Sequence, residues 1–440
     1  MQNKKFCVLL LVLVIFAGMF FFPTFSSLMN SAVIRSSGQI SNSYVTAISG
    51  SPADLQSAVD LVFARGGGTV YVPTGYWTFN PPAGGVGVTV PPGVNLVGAG
   101  KGKTRLVETV ESIDSTMIRA DGMLIQMQGG YAPPPDQQLP VRVIGISFIG
   151  FVPSRADADS VTNNRGLLMH CIKDFMVYDC EFSNFVNMGF GADNNDGWAG
   201  GRGYIMRGVV SHCSFDNPYK DDLVIQNRVW GYGIIVSGTG YWSPTVRSLL
   251  GHYVNNVVYI EDCDFRRCRH SIASTGGSFY VSRHNHFTEM IQSFMGSYID
   301  AHAYSIGVEI YDNVIQNSPT DYRTILTPPE QYYGQYLGVG IGMRGGSGVI
   351  YNNIINKTIQ GIQFHNDLPN DPDLRIQDFY VWNNTYIPSP QGSPESDVIV
   401  TGENCVLDRD YFLRAPNQEQ DGFTYTPYPY PHPLVASLSP

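Results

Sequence analysis

A short pattern that recurs at unequal distances constrains the fold of this chain more than any other feature of its sequence. Each copy has Cys, Asn or, once, Ile at a central position, and an apolar or aromatic residue stands two places later. Three places before the centre stands Val, Ile or, once, Ser. The eight copies are VIGISF (143–148), VYDCEF (177–182), VSHCSF (210–215), IEDCDF (260–265), SRHNHF (282–287), IYDNVI (310–315), IYNNII (350–355) and VWNNTY (381–386).

The spacing of the copies selects one repeat architecture. Successive copies stand 22 to 50 residues apart, and the shortest step is about one turn of a parallel β-helix. Longer steps then require inserted loops. A helical solenoid would need amphipathic stretches of about ten residues between copies, and a propeller would give regular blades of about 40–45 residues. The pattern shows neither, so it predicts an all-β fold, a single-stranded right-handed parallel β-helix (solenoid).

An amphipathic helix is predicted at the N-terminal end of this solenoid. Apolar residues recur with helical spacing at Leu55, Ala58, Val59, Val62 and Phe63. Ser51 and Pro52 are typical of a helix start, and Gly66 is typical of a stop. A helix of this kind would cap the open end of the solenoid, where strand edges would otherwise be unpaired.

The N-terminal sequence also resembles a known superfamily. DLQSAVDLVFARGGGTVYVPTGYWTF followed by VTVPPGVNLVGAG resembles the start of pectate-lyase-like proteins, a superfamily that includes pectate lyases, polygalacturonases and phage tailspikes. The resemblance covers roughly residues 45–390. It implies the β-helix fold, which hosts several chemistries and some non-enzymes.

The first 30 residues form a separate segment. Lys4 and Lys5 precede an apolar run from Phe6 to Phe22, which predicts a secretory signal peptide or an N-terminal membrane anchor. Either one places the remainder outside the cytoplasm, and this segment would be the only contact with a membrane. We expect the cap and first turns at 45–135, the main β-helix at 136–390 and a Pro/Tyr-rich tail at 391–440. The sequence predicts no oligomeric state.

Composition bears on the partners. The formal net charge is −10, which disfavours a nucleic-acid partner held through its phosphates. A polysaccharide is the expected partner, and an anionic one would need a basic groove or a bound cation. The chain contains no C-x-x-C pair, so a structural zinc site is not expected. A disulfide between cysteines of adjacent turns, or between Cys263 and Cys268, remains open.

The central column of the repeat has a structural interpretation. Asparagines stacked at a turn can hydrogen-bond to one another and to backbone groups that the turn leaves unpaired. We therefore predict a structural ladder in which cysteines take the same place as small buried residues. The ladder comprises Asn285, Asn313, Asn353 and Asn384, preceded by Cys180, Cys213 and Cys263.

Residues two places before the column should point outward. Tyr311, Tyr351 and Trp382 occupy this place in successive copies, and they would form an exposed aromatic stripe able to bind sugar rings. The alternative is that inserted loops or the tail TYTPYPYPHP (424–433) cover them. Glu261 and Arg283 take the same place in neighbouring turns. They would form either an ion pair or part of a substrate-binding surface.

Ionisable residues concentrate within two or three turns. The candidate catalytic residues are Arg283, His284, His286, Asp300 and His302, and the candidate substrate-binding residues are Arg269, Glu261, Tyr311, Tyr351 and Trp382. Residues about one turn apart come within side-chain reach in a β-helix, which acid–base chemistry requires. Asp300 and His302, with His284 or His286, could also bind a divalent cation such as calcium. No cofactor is otherwise predicted.

Upstream carboxylates loosely match a hydrolase pattern. Polygalacturonases have N-x-D, D-D, G-H-G and R-x-K elements, and Asp193, Asp196, Asp221 and Asp222 echo the first two. No G-H-G or R-x-K follows, and Asp-Asn-Asn-Asp-Gly is also ordinary turn sequence.

We therefore expect a carbohydrate-active protein outside the cytoplasm, with β-elimination of a uronate-containing polysaccharide favoured over hydrolysis. The competing hypothesis is a non-catalytic surface protein, either a glycan-binding adhesin or an envelope component.

Overall fold

The computed structural model describes residues 43–109, 111–112, 118–120, 122–128, 139–151, 161–194, 206–217, 231–238, 244–289, 297–302, 305–317, 339–358, 360–372, 375–387, 398–400 and 404–438. The predicted signal or anchor segment lies outside these residues. In the described part of the chain, no helix is both long enough and apolar enough to span a bilayer. The predicted segment boundaries at residues 45, 136 and 391 stay predictions.

Three long parallel sheets, A, B and C, form the body of the structure, and the chain visits them repeatedly in that order. Within the described ranges, sheet A contains twelve strands: β1 (Tyr44–Thr46), β2 (Gly68–Tyr71), β5 (Val94–Val97), β10 (Val141–Ile144), β14 (Lys173–Tyr178), β17 (Arg207–Ser211), β20 (Val257–Glu261), β23 (Phe279–Arg283), β26 (Gly307–Tyr311), β29 (Gly346–Tyr351), β32 (Ile376–Trp382) and β35 (Tyr411–Phe412).

Sheets B and C are each described with ten strands. Sheet B comprises β3 (Gly75–Phe79), β6 (Thr104–Glu108), β11 (Ser147–Ile149), β15 (Glu181–Ser183), β18 (Ser214–Asp216), β21 (Asp264–Arg266), β24 (His286–Thr288), β27 (Val314–Gln316), β30 (Ile354–Asn356) and β33 (Thr385–Ile387). Sheet C comprises β4 (Val86–Val90), β9 (Met123–Gln128), β13 (Arg165–His170), β16 (Met188–Asp193), β19 (Tyr232–Ser237), β22 (His270–Thr275), β25 (Ser297–Ala301), β28 (Val339–Met343), β31 (Gln360–Phe364) and β34 (Val398–Val400).

The remaining elements are short. A small sheet holds β7 (Glu111–Ser112), β8 (Ile118–Ala120) and β12 (Val161–Thr162). The helices are α1 (Pro52–Ala64), α2 (Gln418–Asp421), α3 (Pro433–Ala436) and a 3₁₀ helix at Pro244–Leu249. Parallel pairing from turn to turn confirms the predicted fold, a right-handed parallel β-helix.

The repeat marks the corner between sheets A and B. Apolar residues two places after the column stack inside the solenoid, where the rings of Phe182, Phe215 and Phe265 lie 4.9 and 4.8 Å apart. The predicted asparagine ladder is confirmed, because Asn313 Nδ2 donates to Asn353 Oδ1 at 2.9 Å and the other members repeat this contact. The six described cysteines are free thiols, so this structure contains neither of the disulfides left open.

The predicted capping helix is present as α1. The Ser51 side chain accepts a hydrogen bond from the Asp54 backbone N–H, which fixes the helix start. Leu55, Val59 and Val62 are buried in the core, whereas Phe63 is 43% exposed and does not belong to the buried face.

The C-terminal segment covers the outer face of sheet A. After β35 has paired with β32, residues 412–438 run back along the sheet, and α3 packs near β14 and β17. We call residues 404–438 the strap. Its side chains Phe423, Tyr425, Tyr428 and Leu434 pack against an apolar layer on sheet A that includes Tyr259, Val281 and Val349.

Candidate active site

The outer face of sheet C gathers the ionisable groups that can do chemistry. On β25, Tyr298, Ile299 and Ala301 enter the core, so Ser297 and Asp300 point outward, as does His302 just after the strand. The strand register aligns three outward columns: Tyr232, His270, Ser297, Val339 and Gln360; Ala273, Asp300, Gly342 and Gln363; and Thr275, His302, Arg344 and His365. Parallel neighbours in such columns are about 4.8 Å apart.

Asp300 is the centre of this group. Its side chain is 3% exposed, and the Arg344 guanidinium donates to Oδ2 from Nη2 at 2.6 Å and to Oδ1 from Nε at 3.3 Å. His302 Nε2 lies 2.8 Å and His270 Nδ1 lies 3.7 Å from the same Oδ2. Burial by itself would raise the pKa of Asp300, but the Arg344 guanidinium holds it below its usual range. Asp300 is therefore a fixed negative charge.

His270 is a neutral imidazole that presents one donor. It is buried, and burial lowers its pKa well below the usual value. The Ser297 backbone N–H points at His270 Nδ1 at 3.4 Å, and the Ser297 hydroxyl lies 3.0 Å from the same nitrogen. Because Nδ1 accepts, the neutral ring carries its proton on Nε2. That buried Nε2 has no hydrogen-bond partner among the described residues.

His302 has the geometry of a general base. Its side chain is 26% exposed, more than those of its neighbours Asp300 and Arg344. Nε2 lies 2.8 Å from Asp300 Oδ2, without the geometry of a hydrogen bond, so the carboxylate attracts this edge of the ring and Nδ1 lies on the opposite side. This arrangement, in which a carboxylate orients a histidine, is the usual one for a proton-abstracting imidazole.

Tyr232 and Arg269 complete the group on the two preceding turns. The Tyr232 ring stacks on His270 at 5.3 Å and meets His302 edge-on at 6.4 Å. Burial raises the pKa of Tyr232, while the charges of Arg269 and Arg344 oppose this shift. The phenol therefore keeps its proton at neutral pH. We call Tyr232, Arg269, His270, Asp300, His302 and Arg344 the Asp300 cluster.

The Asp300 cluster fits a metal ion poorly. His270, Asp300 and His302 offer three ligand atoms within 4.8 Å of one another. Two imidazoles and a carboxylate suit a transition metal more than calcium, which prefers oxygen ligands. However, Arg344 bonds both oxygens of Asp300, and a cation on that carboxylate would lie against the guanidinium charge. The third group beside Asp300 and His302 is His270, not His284 or His286 as expected.

Arg283 lies on the outer face of sheet A, as the column predicts. The strap covers this face, so the Arg283 side chain is fully buried. It donates to Glu261 Oε2 at 2.6 Å and to the carbonyl oxygens of Tyr428 and Pro429 at 2.7 and 2.9 Å. The ion-pair interpretation of Glu261 and Arg283 is thereby confirmed.

The predicted aromatic stripe exists but is covered. Tyr311 stacks on Tyr351 at 4.8 Å, and Tyr351 stacks on Trp382 at 4.4 Å. The strap residue Tyr425 packs edge-on against Tyr351 and Trp382, at 5.7 and 6.3 Å. Tyr311 and Tyr351 are buried, so the exposed stripe is wrong and the alternative, packing beneath the tail, is confirmed.

His284 and His286 do not join the Asp300 cluster. His284 lies at the corner between sheets A and B with φ 54°, and its ring packs 3.8 Å from that of Tyr430. His286 begins β24 on sheet B, where its half-exposed side chain is 3.7 Å from Asp264. The convergence of these two histidines with Asp300 and His302 is therefore not observed, and we assign them no catalytic role.

The upstream carboxylates are only partly described. Asp193 contacts His170 Nδ1 through a close ion pair on the outer face of sheet C, several turns from Asp300. The hydrogen bond that His170 donates to Asp193 raises the pKa of His170 to about 10. Asp196, Asp221 and Asp222 lie outside the described residues.

The sequence analysis did not identify Tyr232, His270 or Arg344 as candidate site residues. The repeat marks the corner of sheets A and B, whereas these three residues belong to sheet C. Segments of unequal length separate the repeat from the strands of sheet C, so no constant spacing connects them. The signal that could have found them is the aligned apolar stretch Gly-Ile-Ile-Val, Ser-Ile-Ala-Ser, Tyr-Ile-Asp-Ala and Gly-Ile-Gly-Met, which begins at residues 233, 271, 298 and 340.

Comparisons with known proteins give remote similarities. No family model and no curated protein sequence matches this chain. The A-module of a mannuronan C-5 epimerase from Azotobacter vinelandii is 15% identical, with 82% of this chain and 100% of that chain covered and a TM-score of 0.39. An alginate lyase from Paenibacillus sp. is 11% identical, with 82% and 98% covered and a TM-score of 0.41.

A tailspike mutant of Escherichia coli bacteriophage HK620, in complex with a pentasaccharide, is 14% identical. The match covers 79% of this chain and 55% of the tailspike chain, with a TM-score of 0.48. Similarities this remote carry no conclusion about activity, so the function has to be inferred from the chain's own residues.

Proposed function

We propose that this protein is an extracytoplasmic enzyme that acts on a uronate-containing polysaccharide and removes the proton from C5, the carbon next to the uronate carboxylate. The observation that carries the proposal is the Asp300 cluster, in which a buried carboxylate that is bonded to Arg344 lies against one partly exposed imidazole. The apolar N-terminal segment supports a place outside the cytoplasm.

His302 is the proposed base. Its Nδ1 lone pair would take the C5 proton, and the imidazolium formed would be stabilised by Asp300, 2.8 Å from Nε2. Asp300 does not take up a proton itself, because Arg344 holds its pKa low. A positioned base of this kind contributes typically 10²–10⁴-fold to a rate.

The donors around the base suit the developing negative charge. Removal of the C5 proton moves charge onto the uronate carboxyl group, which needs hydrogen-bond donors or cations in a water-poor site. The buried His270 Nε2–H is such a donor, and Arg269 supplies positive charge beside Tyr232 and His270. An acidic chain thus presents cationic groups where an anionic sugar would react.

The carbanion that forms when C5 loses its proton can react in two ways. The C5 electron pair can form a C4–C5 double bond as the C4–O bond breaks, and the leaving oxygen takes a proton; this is β-elimination. Alternatively, C5 is reprotonated from the opposite face, which inverts the configuration without breaking the chain. The Tyr232 phenol, whose pKa is raised by burial, would supply the proton in either case. We favour elimination, as expected from the sequence.

Hydrolysis fits the geometry less well. A glycosidase needs two carboxyl groups across the scissile bond, one of them protonated as a general acid. Asp300 is ionised and already bonded to Arg344, so it cannot protonate a leaving group. Asp367 lies on the other side of Arg344, 3.5 Å from Nη1, where it pairs with the same guanidinium.

The test measures turnover of a panel of polyuronates through the ultraviolet absorbance of the unsaturated product. His302→Ala should lower kcat by about 100-fold or more, because it removes the base. The matched control is His286→Ala, since His286 is a half-exposed histidine on sheet B and should leave kcat unchanged. Equal losses in both variants would contradict the assignment. Binding of a polysaccharide without any turnover would instead favour the non-catalytic glycan-binding protein.

A further inference from the structure

The outward column that contains Asp300 continues over the next two turns. Gly342 follows Asp300 in its outward column, and Gln363 follows Gly342. A methyl group at Gly342 would lie 3.5 Å from Ser297 Oγ and 3.6 Å from Asp300 Oδ1, which are ordinary contact distances. Gly342 also has no positive φ in this structure, so its backbone does not require glycine. Because residue 342 is glycine, no side chain from that position packs on Ser297 or Asp300.

Two amide side chains of β31 have unused hydrogen-bonding atoms. Gln363 is 5% exposed, and its buried Nε2 has no hydrogen-bond partner among the described residues. Gln360, on the same strand, has a buried Oε1 that is likewise unpartnered within the described ranges. A buried amide without a partner is unfavourable, so each of these atoms needs a bonding group that the described chain does not supply.

The chemistry of the two atoms is complementary. Gln363 Nε2 is a donor and Gln360 Oε1 is an acceptor, and they do not bond each other although both belong to β31. Hydroxyl groups can accept from the first and donate to the second. Sugar hydroxyls satisfy this requirement, whereas a carboxylate cannot donate to Gln360.

We propose that Gly342, Gln360 and Gln363 form a subsite for the sugar residue next to the one that reacts. The two glutamines form hydrogen bonds to ring hydroxyl groups of that residue. This inference rests on the proposed function, because it takes the polysaccharide to lie along the columns of sheet C. Gln363 is two turns from Asp300 in its column, or about 10 Å. The size of the side chain at position 342 determines how closely the sugar approaches Asp300.

The experiment compares Gln363→Leu and Gly342→Ala with the unaltered chain, using uronate oligosaccharides and neutral oligosaccharides of defined length. Binding is measured by calorimetry, and kcat and KM are measured wherever turnover occurs. Gln363→Leu should weaken binding and raise KM about tenfold or more, and leave kcat and its pH profile unchanged. Gly342→Ala should raise KM for the same oligosaccharides. Gln316→Ala, at an exposed glutamine on sheet B, is the control and should change nothing.

Thermal unfolding separates a binding role from a structural one. Gln363→Leu should leave Tm unchanged or raise it, because it replaces an unpartnered buried amide with an apolar side chain. A lower Tm would show that the amide supports the fold, which would overturn the proposal.

The remaining outcomes distinguish the subsite from the reaction. Turnover of polyuronates with unchanged KM and binding in Gln363→Leu would overturn the subsite and leave the proposed reaction intact. Binding that depends on Gln363, without turnover of any polyuronate, would retain the subsite and overturn the reaction. An absence of binding to every oligosaccharide would overturn both.

Discussion

Glu309 shows how one buried carboxyl group can attach two segments to a sheet. It lies on the outer face of sheet A and is fully buried. Its Oε1 accepts from the Gly251 backbone N–H and its Oε2 accepts from the Tyr425 hydroxyl, both at 2.7 Å. Burial raises the pKa of Glu309 to about 7, and these two hydrogen bonds only partly oppose the shift.

This shift predicts the pH dependence of stability. The pKa of Glu309 in the folded state is above the value of about 4.3 expected when unfolded. The folded state therefore binds the proton more tightly, so the contribution to stability is fully present below about pH 4 and is lost as the pH rises through 7. The loss is on the order of 3 kcal/mol.

We expect Glu309→Gln to remove most of this dependence, because glutamine is neutral and keeps an acceptor oxygen. The measurement is the free energy of unfolding in urea between pH 5 and pH 8. Glu419→Gln changes an exposed glutamate in α2 and serves as the control. If the free energy of unfolding of Glu309→Gln fell with pH as steeply as that of the unaltered chain, the raised pKa would not belong to Glu309.

At the scale of elements, the strap covers the outer face of sheet A and forms a second hydrophobic core with it. Arg283 bonds Glu261 below it and two strap carbonyl groups above it, and Glu261 Oε1 accepts from the His432 backbone N–H at 2.9 Å. The ion pair on sheet A is thus hydrogen-bonded to the strap. Removing one member of a buried ion pair typically costs 3–5 kcal/mol, because the other charge remains unpaired.

A double-mutant cycle tests this role. Arg283→Met should lower the free energy of unfolding by several kcal/mol, and Arg283→Met combined with Glu261→Met should lower it by less than the two single changes together. Arg266→Met is the control, since Arg266 pairs with Glu289 at the surface and should contribute under about 1 kcal/mol. Additive losses at Arg283 and Glu261 would contradict a coupled pair.

These elements also show how much the sequence can predict. The repeat predicts the β-helix, the asparagine ladder and the outward direction of Arg283, because each follows from local alternation within one turn. Local alternation does not say what covers an outward side chain. Tyr428 and Pro429 are about 145 residues from Arg283 in sequence, so their contacts depend on where the strap folds back. The pairing of Asp300 with His302 follows from spacing, whereas Arg344 depends on the register of sheet C.

At the scale of the whole molecule, the outer faces of sheets A and C differ in what they expose. The strap buries the outer face of sheet A, and α1 caps the N-terminal end. The outer face of sheet C carries partly exposed His302 and Arg344 and the unpartnered His270 Nε2. In a chain of net charge −10, this is where an anionic polymer would meet Arg269 and Arg344.

The central claim is that this protein removes the C5 proton of a uronate, and solvent exchange tests it whichever product forms. The protein is incubated with a polyuronate in D₂O, and nuclear magnetic resonance follows the C5 proton signal. We predict that the signal disappears, through elimination or through deuterium incorporation, and that His302→Ala slows the loss by about 100-fold or more. A C5 signal that persists across the polyuronate panel, or one lost equally fast with His302→Ala, would contradict the claim.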